Sequence, residues 1–183
     1  TGLLAANAAP LSQQPHAIEF AAIKIDDYEL INNGVCKEIG RLDFIINPKV
    51  PISKKITEIT GLTSADVIDQ PEFSHFYPQL AMLFLGEKYL VAHNASFDVS
   101  IMKIELQRLG RLTQFPWPPI QICTVNQTNK IKGFNLKLAA LYEHLFAEIA
   151  PKGHRAMVDV ETLTRCVVEL VKTDVIKLKK VKK

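Results

Sequence analysis

Two short segments combine carboxylates with other residue types that could support hydrolysis. One runs from His93 to Asp98 (HNASFD) and the other from His154 to Asp159 (HRAMVD). Carboxylates suit hard cations such as Mg²⁺, and an imidazole with a pKa near neutrality suits a general base. In the simpler interpretation, Asp98 only stabilises the start of a helix and Asn94 only caps it. His154 would then be a surface histidine at a helix start, and Asp159 a solvated helical residue.

The elements predicted around these segments would place both acids near helix starts. The apolar run at 88–93 predicts a buried strand, and the apolar spacing over 96–110 predicts a helix immediately after it. Ligands of open α/β sheets collect at the carboxyl ends of strands. A last helix is predicted over 154–172. Asp98 and Asp159 would therefore each lie close to the first turn of a helix, with Asn94 at the strand end.

The remaining pattern predicts an α/β domain with a mixed sheet. Two strands should pair antiparallel, with a turn at Asn33-Gly34 near the second, and helices should follow among short buried strands. The further predicted strands are 16–26, 41–47 and 121–125, and the further predicted helices are 53–59, 71–86 and 136–146.

Composition is that of an ordinary globular protein. The chain has 183 residues, 48% of them hydrophobic, and a formal net charge of +3. Three widely spaced cysteines give no disulfide framework, which favours a reducing, cytoplasmic compartment. No apolar run approaches the roughly 18 residues of a membrane helix, so no membrane partner is expected.

Taken in order, several segments resemble the DEDDh family of 3′-5′ exonucleases, in particular the proofreading domains that are similar to the epsilon subunit. The resemblance runs from Thr1 to about Val171 and includes the spacing His154-x-Ala156-x-x-Asp159 that defines the "h" subgroup. The segments that carry it are Thr1-Gly2-Leu3, Ala17–Ile23, Ile59–Thr63, His93–Asp98 and His154–Asp159.

The resemblance implies a ribonuclease H-like fold, with a mixed five-stranded sheet flanked by helices. It implies two divalent metal ions (Mg²⁺ or Mn²⁺) held by four acids, of which Asp98 and Asp159 would be two, and His154 as the general base. The residues implied at the nucleotide pocket are Thr1, Gly2, Leu3, Thr60, Asn94 and Phe97, although a His is common at the position of Thr60. The implied substrate is the single-stranded or frayed 3′ end of DNA, and a DNA polymerase subunit is an implied partner.

The start of the sequence departs from the family pattern. The Asp and Glu of the first motif should lie just before Thr1, on a central strand that this sequence does not include. We expect this segment to exist in the native protein, because its loss would leave buried sheet edges unpaired. The exonuclease domain is predicted to span 1–173, followed by a basic, solvated tail over 174–183.

Three other functions fit parts of the sequence. A 3′-5′ exoribonuclease would carry the same motifs, because the choice of sugar depends on contacts to the 2′-hydroxyl. A non-catalytic nucleic-acid-binding module would keep the fold without the first-motif acids. An N-terminal threonine nucleophile activated by its own amine has only Thr1 in its favour.

Overall fold

A computed structural model describes residues 9–153 and 155–179. The predicted pair of antiparallel strands is present as β1 (Glu19–Ile25) and β2 (Glu38–Ile45). The N–H of Ile46 donates to the carbonyl of Ile18 at one end, and the N–H of Asp26 donates to the carbonyl of Lys37 at the other. The residue numbers thus increase along β1 as they decrease along β2, so the two strands are antiparallel.

The connection between these strands differs from the prediction. A short helix, α1 (Asp27–Asn33), lies there, so a simple Asn-Gly turn is wrong for this connection. The side chain of Asp26 accepts a hydrogen bond from the N–H of Glu29 at its start, and Gly34 ends it with a φ of 65°. These are ordinary helix-capping features, and the left-handed backbone at the end favours glycine.

A second pair of strands carries the first candidate motif at its end. β3 (Tyr89–Ala92) and β4 (Ile120–Cys123) are neighbours in a two-stranded sheet. The N–H of Ile120 donates to the carbonyl of Lys88, and the hydroxyl of Thr124 lies 3.4 Å from the carbonyl of Ala92. Both contacts join residues that are 32 positions apart, so the residue numbers increase in the same direction and the two strands are parallel. In the described residues the four strands form two pairs, whereas the resemblance implies a five-stranded sheet.

The described residues divide into two compact units. The first comprises 9–20, 44–90 and 94–122, and the second comprises 21–43, 91–93, 123–153 and 155–179. The helices of the first unit are α2 (Lys54–Thr60), α3 (Ser64–Val67), α4 (Phe73–Phe84) and α5 (Ala95–Arg108). Those of the second, after α1, are α6 (Thr124–Lys132), α7 (Leu138–Phe146) and α8 (Ala156–Lys172).

Each unit has its own buried core. Leu80 and Leu106 are fully buried in the first unit, where Phe115 and Trp117 form an aromatic pair. In the second unit α7 packs against α8, with Leu141 and Leu170 fully buried. Burial of such apolar side chains is the main stabilising contribution to each unit.

The end of the described chain differs from the prediction of a solvated tail. Ile176 is buried, and its N–H donates to the carbonyl of Leu170. This residue folds back on the end of α8 because it is apolar, so the tail is not solvated at this point. Within the described residues, no helix combines the length and apolar character that crossing a membrane requires.

Candidate active site

The junction between β3 and α5 positions the first predicted acid. Asn94 adopts a left-handed backbone conformation with φ 69° and ψ 49° directly before α5. Its carbonyl accepts a hydrogen bond from the N–H of Phe97 at 2.9 Å. Asparagine tolerates this conformation better than most residues with a Cβ atom. The chain can therefore turn from strand to helix within two residues.

This tight turn places Asp98 in the first turn of α5, where the residue is exposed. A carboxylate is favoured there by the partial positive charge of the helix N-terminus. Asn94 is also exposed, and Phe97 is half-buried between them. The prediction that these three residues share one strand–helix junction is thus consistent with the local structure.

Sequence reasoning did not assign a role to His93, which the structure places in a network of hydrogen bonds. Its Nδ1 lies 2.9 Å from the hydroxyl of Thr124, a fully buried residue at the start of α6. Burial lowers the pKa of His93, although a backbone hydrogen bond to Leu136 opposes this effect. The neutral imidazole therefore joins the end of β3 to the start of α6 and to the segment before α7.

The second predicted acid occupies the first turn of α8. Asp159 is exposed, and its N–H donates to the carbonyl of Arg155 at 3.2 Å. Asp159 lies on the same face of the helix as the buried residues Thr162 and Cys166, which follow three and seven positions later. The carboxylate is therefore at the N-terminal end of the buried face of α8.

Two residues after Asp159, Glu161 links α8 to β2 by an ion pair. Arg41 of β2 donates to the carboxylate of Glu161 at 2.6 Å and to that of Glu38. These two hydrogen bonds raise the pKa of the guanidinium of Arg41 further above its usual range. The pair is exposed, so its contribution is mainly to orientation.

The other predicted site residues fall into two groups. The hydroxyl of Thr60 is already used locally, because it donates to the carbonyl of Ile56 and accepts from the N–H of Leu62. Thr1, Gly2, Leu3 and His154 lie outside the described residues.

The donor atoms of Asp98 and Asp159 fit a hard divalent cation, because carboxylate oxygens are the preferred ligands of Mg²⁺. Both residues are exposed and thus accessible to a hydrated ion. Among the described residues, however, no group of three or more His, Cys, Asp or Glu side chains could hold a metal ion. Two such acids fit a metal site only when further ligands complete it.

Comparison with protein families decides the assignment. The model of the ribonuclease T family, described as "Exonuclease", matches residues 1–167. The chain belongs to this exonuclease family. The predicted assignment to the DEDDh-type exonucleases is confirmed.

Curated relatives include much larger polymerases. The chain is 31% identical over 137 residues to a PolC-type DNA polymerase III of Clostridium perfringens, covering 69% of this chain and 9% of the relative. It is 30% identical over 155 residues to the corresponding polymerase of Bacillus cereus, covering 85% of this chain and 10% of the relative. The match thus spans about a tenth of these polymerases.

Solved structures support the same fold. Exonuclease X, in complex with 5′ overhanging duplex DNA, is 25% identical with a TM-score of 0.61, covering 87% of this chain and 85% of that chain. The nuclease domain of 3′hExo, a DEDDh family member bound to rAMP, is 17% identical with a TM-score of 0.70, covering 88% and 86%. The predicted α/β fold of the ribonuclease H-like exonucleases is therefore confirmed.

Proposed function

We propose that this exonuclease-family chain hydrolyses phosphodiester bonds from the 3′ end of DNA and releases nucleoside monophosphates. The family match over residues 1–167 supports the reaction class. The PolC-type polymerase relatives and Exonuclease X, whose structure contains duplex DNA, favour DNA as the substrate. The same polymerase relatives favour a DNA polymerase as a partner. Single-stranded or frayed 3′ ends are proposed as the bound form, as the family resemblance implies.

The observation that carries the proposal is the placement of Asp98 and Asp159. Each is an exposed residue in the first turn of a helix, α5 or α8. In our proposal they hold two divalent ions (Mg²⁺ or Mn²⁺) together with the Asp and Glu expected just before Thr1. When bound, paired ions would stabilise the charge on the attacking and leaving oxygens.

His154 is proposed as the general base that accepts a proton from the attacking water. Its sequence position, five residues before Asp159, keeps it close along the chain to a proposed metal ligand. A side chain with an ordinary pKa near 6.5 can accept a proton at physiological pH.

The nucleotide pocket is proposed to include Thr1, Gly2, Leu3, Thr60, Asn94 and Phe97. For Thr60 the contact would have to use the methyl group or backbone, because the hydroxyl is already hydrogen-bonded within and beside α2. Asn94 is exposed at the end of β3, so its side-chain amide is accessible. The proposed catalytic domain spans 1–173.

The test uses the native chain, with whatever segment precedes Thr1, and a 5′-labelled DNA oligonucleotide in Mg²⁺. His154→Ala should reduce the cleavage rate by about 10²- to 10⁴-fold, the usual contribution of a general base. His144→Ala is the matched control, since His144 is exposed in the last turn of α7 and outside the proposed site. A rate for His154→Ala equal to that of the control would remove His154 from the mechanism.

Metal binding is tested separately by calorimetry with Mn²⁺. Asp98→Asn and Asp159→Asn should each weaken binding, whereas Asp69→Asn, a change at an exposed residue outside the proposed site, should not. An RNA oligonucleotide of the same sequence distinguishes the exoribonuclease alternative, which predicts faster cleavage of RNA. Binding without any cleavage would instead identify a non-catalytic nucleic-acid-binding module.

A further inference from the structure

The segment Gly133–Lys137, here called the α6–α7 loop, presents an aromatic side chain to solvent. Phe134 is 58% exposed, and among the described residues no aromatic ring stacks on it. Phenylalanine is usually buried. Lys132 and Lys137, one on each side of Phe134 in the sequence, are also exposed.

This exposure does not result from a loosely held loop. Thr128, fully buried, accepts a hydrogen bond from the N–H of Leu136 at 3.0 Å, and its hydroxyl lies 3.3 Å from the carbonyl of Phe134. The amide of Asn129 donates to the side-chain oxygen of Asn135 at 2.9 Å. The side chain of His93 also interacts with the backbone of Leu136. The aromatic ring is thus presented by a preorganised backbone, which lowers the entropic cost of binding.

The charged residues of the sequence that contains the loop have one sign. Residues 106–142 contain no Asp or Glu, although the whole chain has 19 acidic residues. The second unit contributes 123–142 of this stretch, with three exposed lysines at 130, 132 and 137. No carboxylate among the described residues forms an ion pair with these lysines. Such a surface attracts a polyanion.

We propose that the α6–α7 loop is a binding surface for single-stranded nucleic acid, separate from the residues of the proposed cleavage site. Phe134 stacks on a base, and Lys132 and Lys137 contact the phosphates on either side. Sequence-independent single-strand binding combines these two features, an aromatic platform and a basic track. The inference rests on the proposed function only in taking nucleic acid as the ligand, because binding here requires neither metal nor hydrolysis.

The test measures binding of a fluorescein-labelled single-stranded oligonucleotide by fluorescence anisotropy in EDTA, so that no cleavage occurs. Phe134→Leu keeps an apolar side chain but removes the aromatic face, and it should weaken binding by about 5- to 150-fold, the range of one base–aromatic stack. Met82→Leu is the control, since Met82 is an exposed apolar residue of α4.

The lysines are tested through the salt dependence of binding. Lys132→Gln with Lys137→Gln should reduce the slope of log K against log salt by about 1.4, which is two single-strand phosphate contacts. Lys103→Gln with Lys177→Gln removes the same charge from exposed positions elsewhere and should leave the slope nearly unchanged.

Thermal melts of all variants should coincide with that of the wild type, since each changed side chain is exposed. Wild-type affinity in Phe134→Leu and an unchanged slope in the lysine pair would overturn the proposal and make a protein partner the better explanation for the exposed ring. Weaker oligonucleotide binding by the Phe134 and lysine variants, together with a wild-type rate of cleavage of a dinucleotide, would support it. Failure of the His154 test alone would concern only the proposed catalytic function.

Discussion

Removing the guanidinium of Arg108 should be among the most destabilising single changes in the chain. Arg108, at the end of α5, donates to the carboxylate of Glu105 at 2.8 Å and to three backbone carbonyls of the segment before β1. The same carboxylate accepts from the N–H of Ala17 at 2.8 Å. The carbonyls belong to Leu11, Gln14 and Pro15, at 2.7 to 3.1 Å. The helix that carries Asp98 thus also holds the chain that leads into β1.

The magnitude follows from burial. The side chains of Arg108 and Glu105 are only 17% and 7% exposed. Arg108→Ala leaves a nearly buried carboxylate without its cation, and such a loss costs about 3–5 kcal/mol. Three carbonyls also lose a charged donor. A chain of this length should melt about 6–20 °C lower, since each kcal/mol corresponds to about 2–4 °C.

The assay is thermal unfolding by circular dichroism, repeated in urea. Arg111→Ala is the matched control, because Arg111 is exposed and outside this network, and an exposed change of this kind is worth within about 0.5 kcal/mol. Glu105→Gln combined with Arg108→Met should restore much of the lost stability, because it removes both charges. If Arg108→Ala and Arg111→Ala melt at the same temperature, the Arg108–Glu105 pair does not anchor the segment before β1, and the reasoning is refuted.

A second signal separates this network from general destabilisation. Burial lowers the pKa of His16, the positive charge of Arg108 adds to this effect, and Glu105 opposes it. Removing Arg108 while keeping Glu105 should therefore raise the pKa of His16, measured by NMR titration. An unchanged pKa of His16 in a folded variant would contradict the arrangement of these three charges.

Further predictions concern pH, thiols and backbone strain. Because the pKa of His93 is lowered in the folded state, the unfolded chain takes up the proton at a higher pH than the folded chain. The contribution of His93 to the free energy of unfolding should therefore be complete above about pH 6.5 and fall as the pH drops below that value. His93→Gln should flatten this pH dependence, measured by thermal melts at a series of pH values. Maleimide should label exposed Cys36 in the native state, but Cys166, fully buried with its pKa raised to about 12 by burial, only after unfolding. Asn94→Ala should lower the free energy of unfolding by about 1–2 kcal/mol, because Asn94 has a left-handed backbone, and Asn94→Gly should lower it less. Urea unfolding measures both, and equal losses would exclude backbone strain.

Long periodic elements were predictable from the sequence. The helix predicted over 96–110 is α5 (Ala95–Arg108), and the helix predicted over 154–172 is described as α8 (Ala156–Lys172). In both, an apolar stripe repeats often enough to fix the helix, and the acid lies in the first turn on the face of the buried residues.

Short elements were not predictable in the same way. The seven residues of α1 were not assigned as a helix, although Asp26 and Gly34 are capping residues. Such a helix is marginal alone and depends on tertiary packing, here against α8. The polar α6 was not predicted for the same reason. The helix predicted over 136–146 begins two residues later, as α7 (Leu138–Phe146).

The positions of Asp98 and Asp159 in the first turns of α5 and α8 were predictable because their motifs are local in sequence. The role of His93 was not, since its partner Thr124 is 31 residues away and spacing alone cannot reveal such a contact. The same is true of Glu105 and Ala17, which are separated by 88 residues. The expected Asp and Glu before Thr1 stay a prediction. The same holds for the roles of all the predicted site residues: Asp98, Asp159, His154, Thr1, Gly2, Leu3, Thr60, Asn94 and Phe97.

The most direct test of the central claim is digestion of one DNA oligonucleotide, labelled at its 5′ end, by the native protein with Mg²⁺ and with EDTA. The proposed function predicts a ladder that shortens one nucleotide at a time from the 3′ end, with nucleoside monophosphates released and no cleavage in EDTA. An intact oligonucleotide in Mg²⁺, from a protein whose sequenced N-terminus includes the first-motif acids, would contradict it.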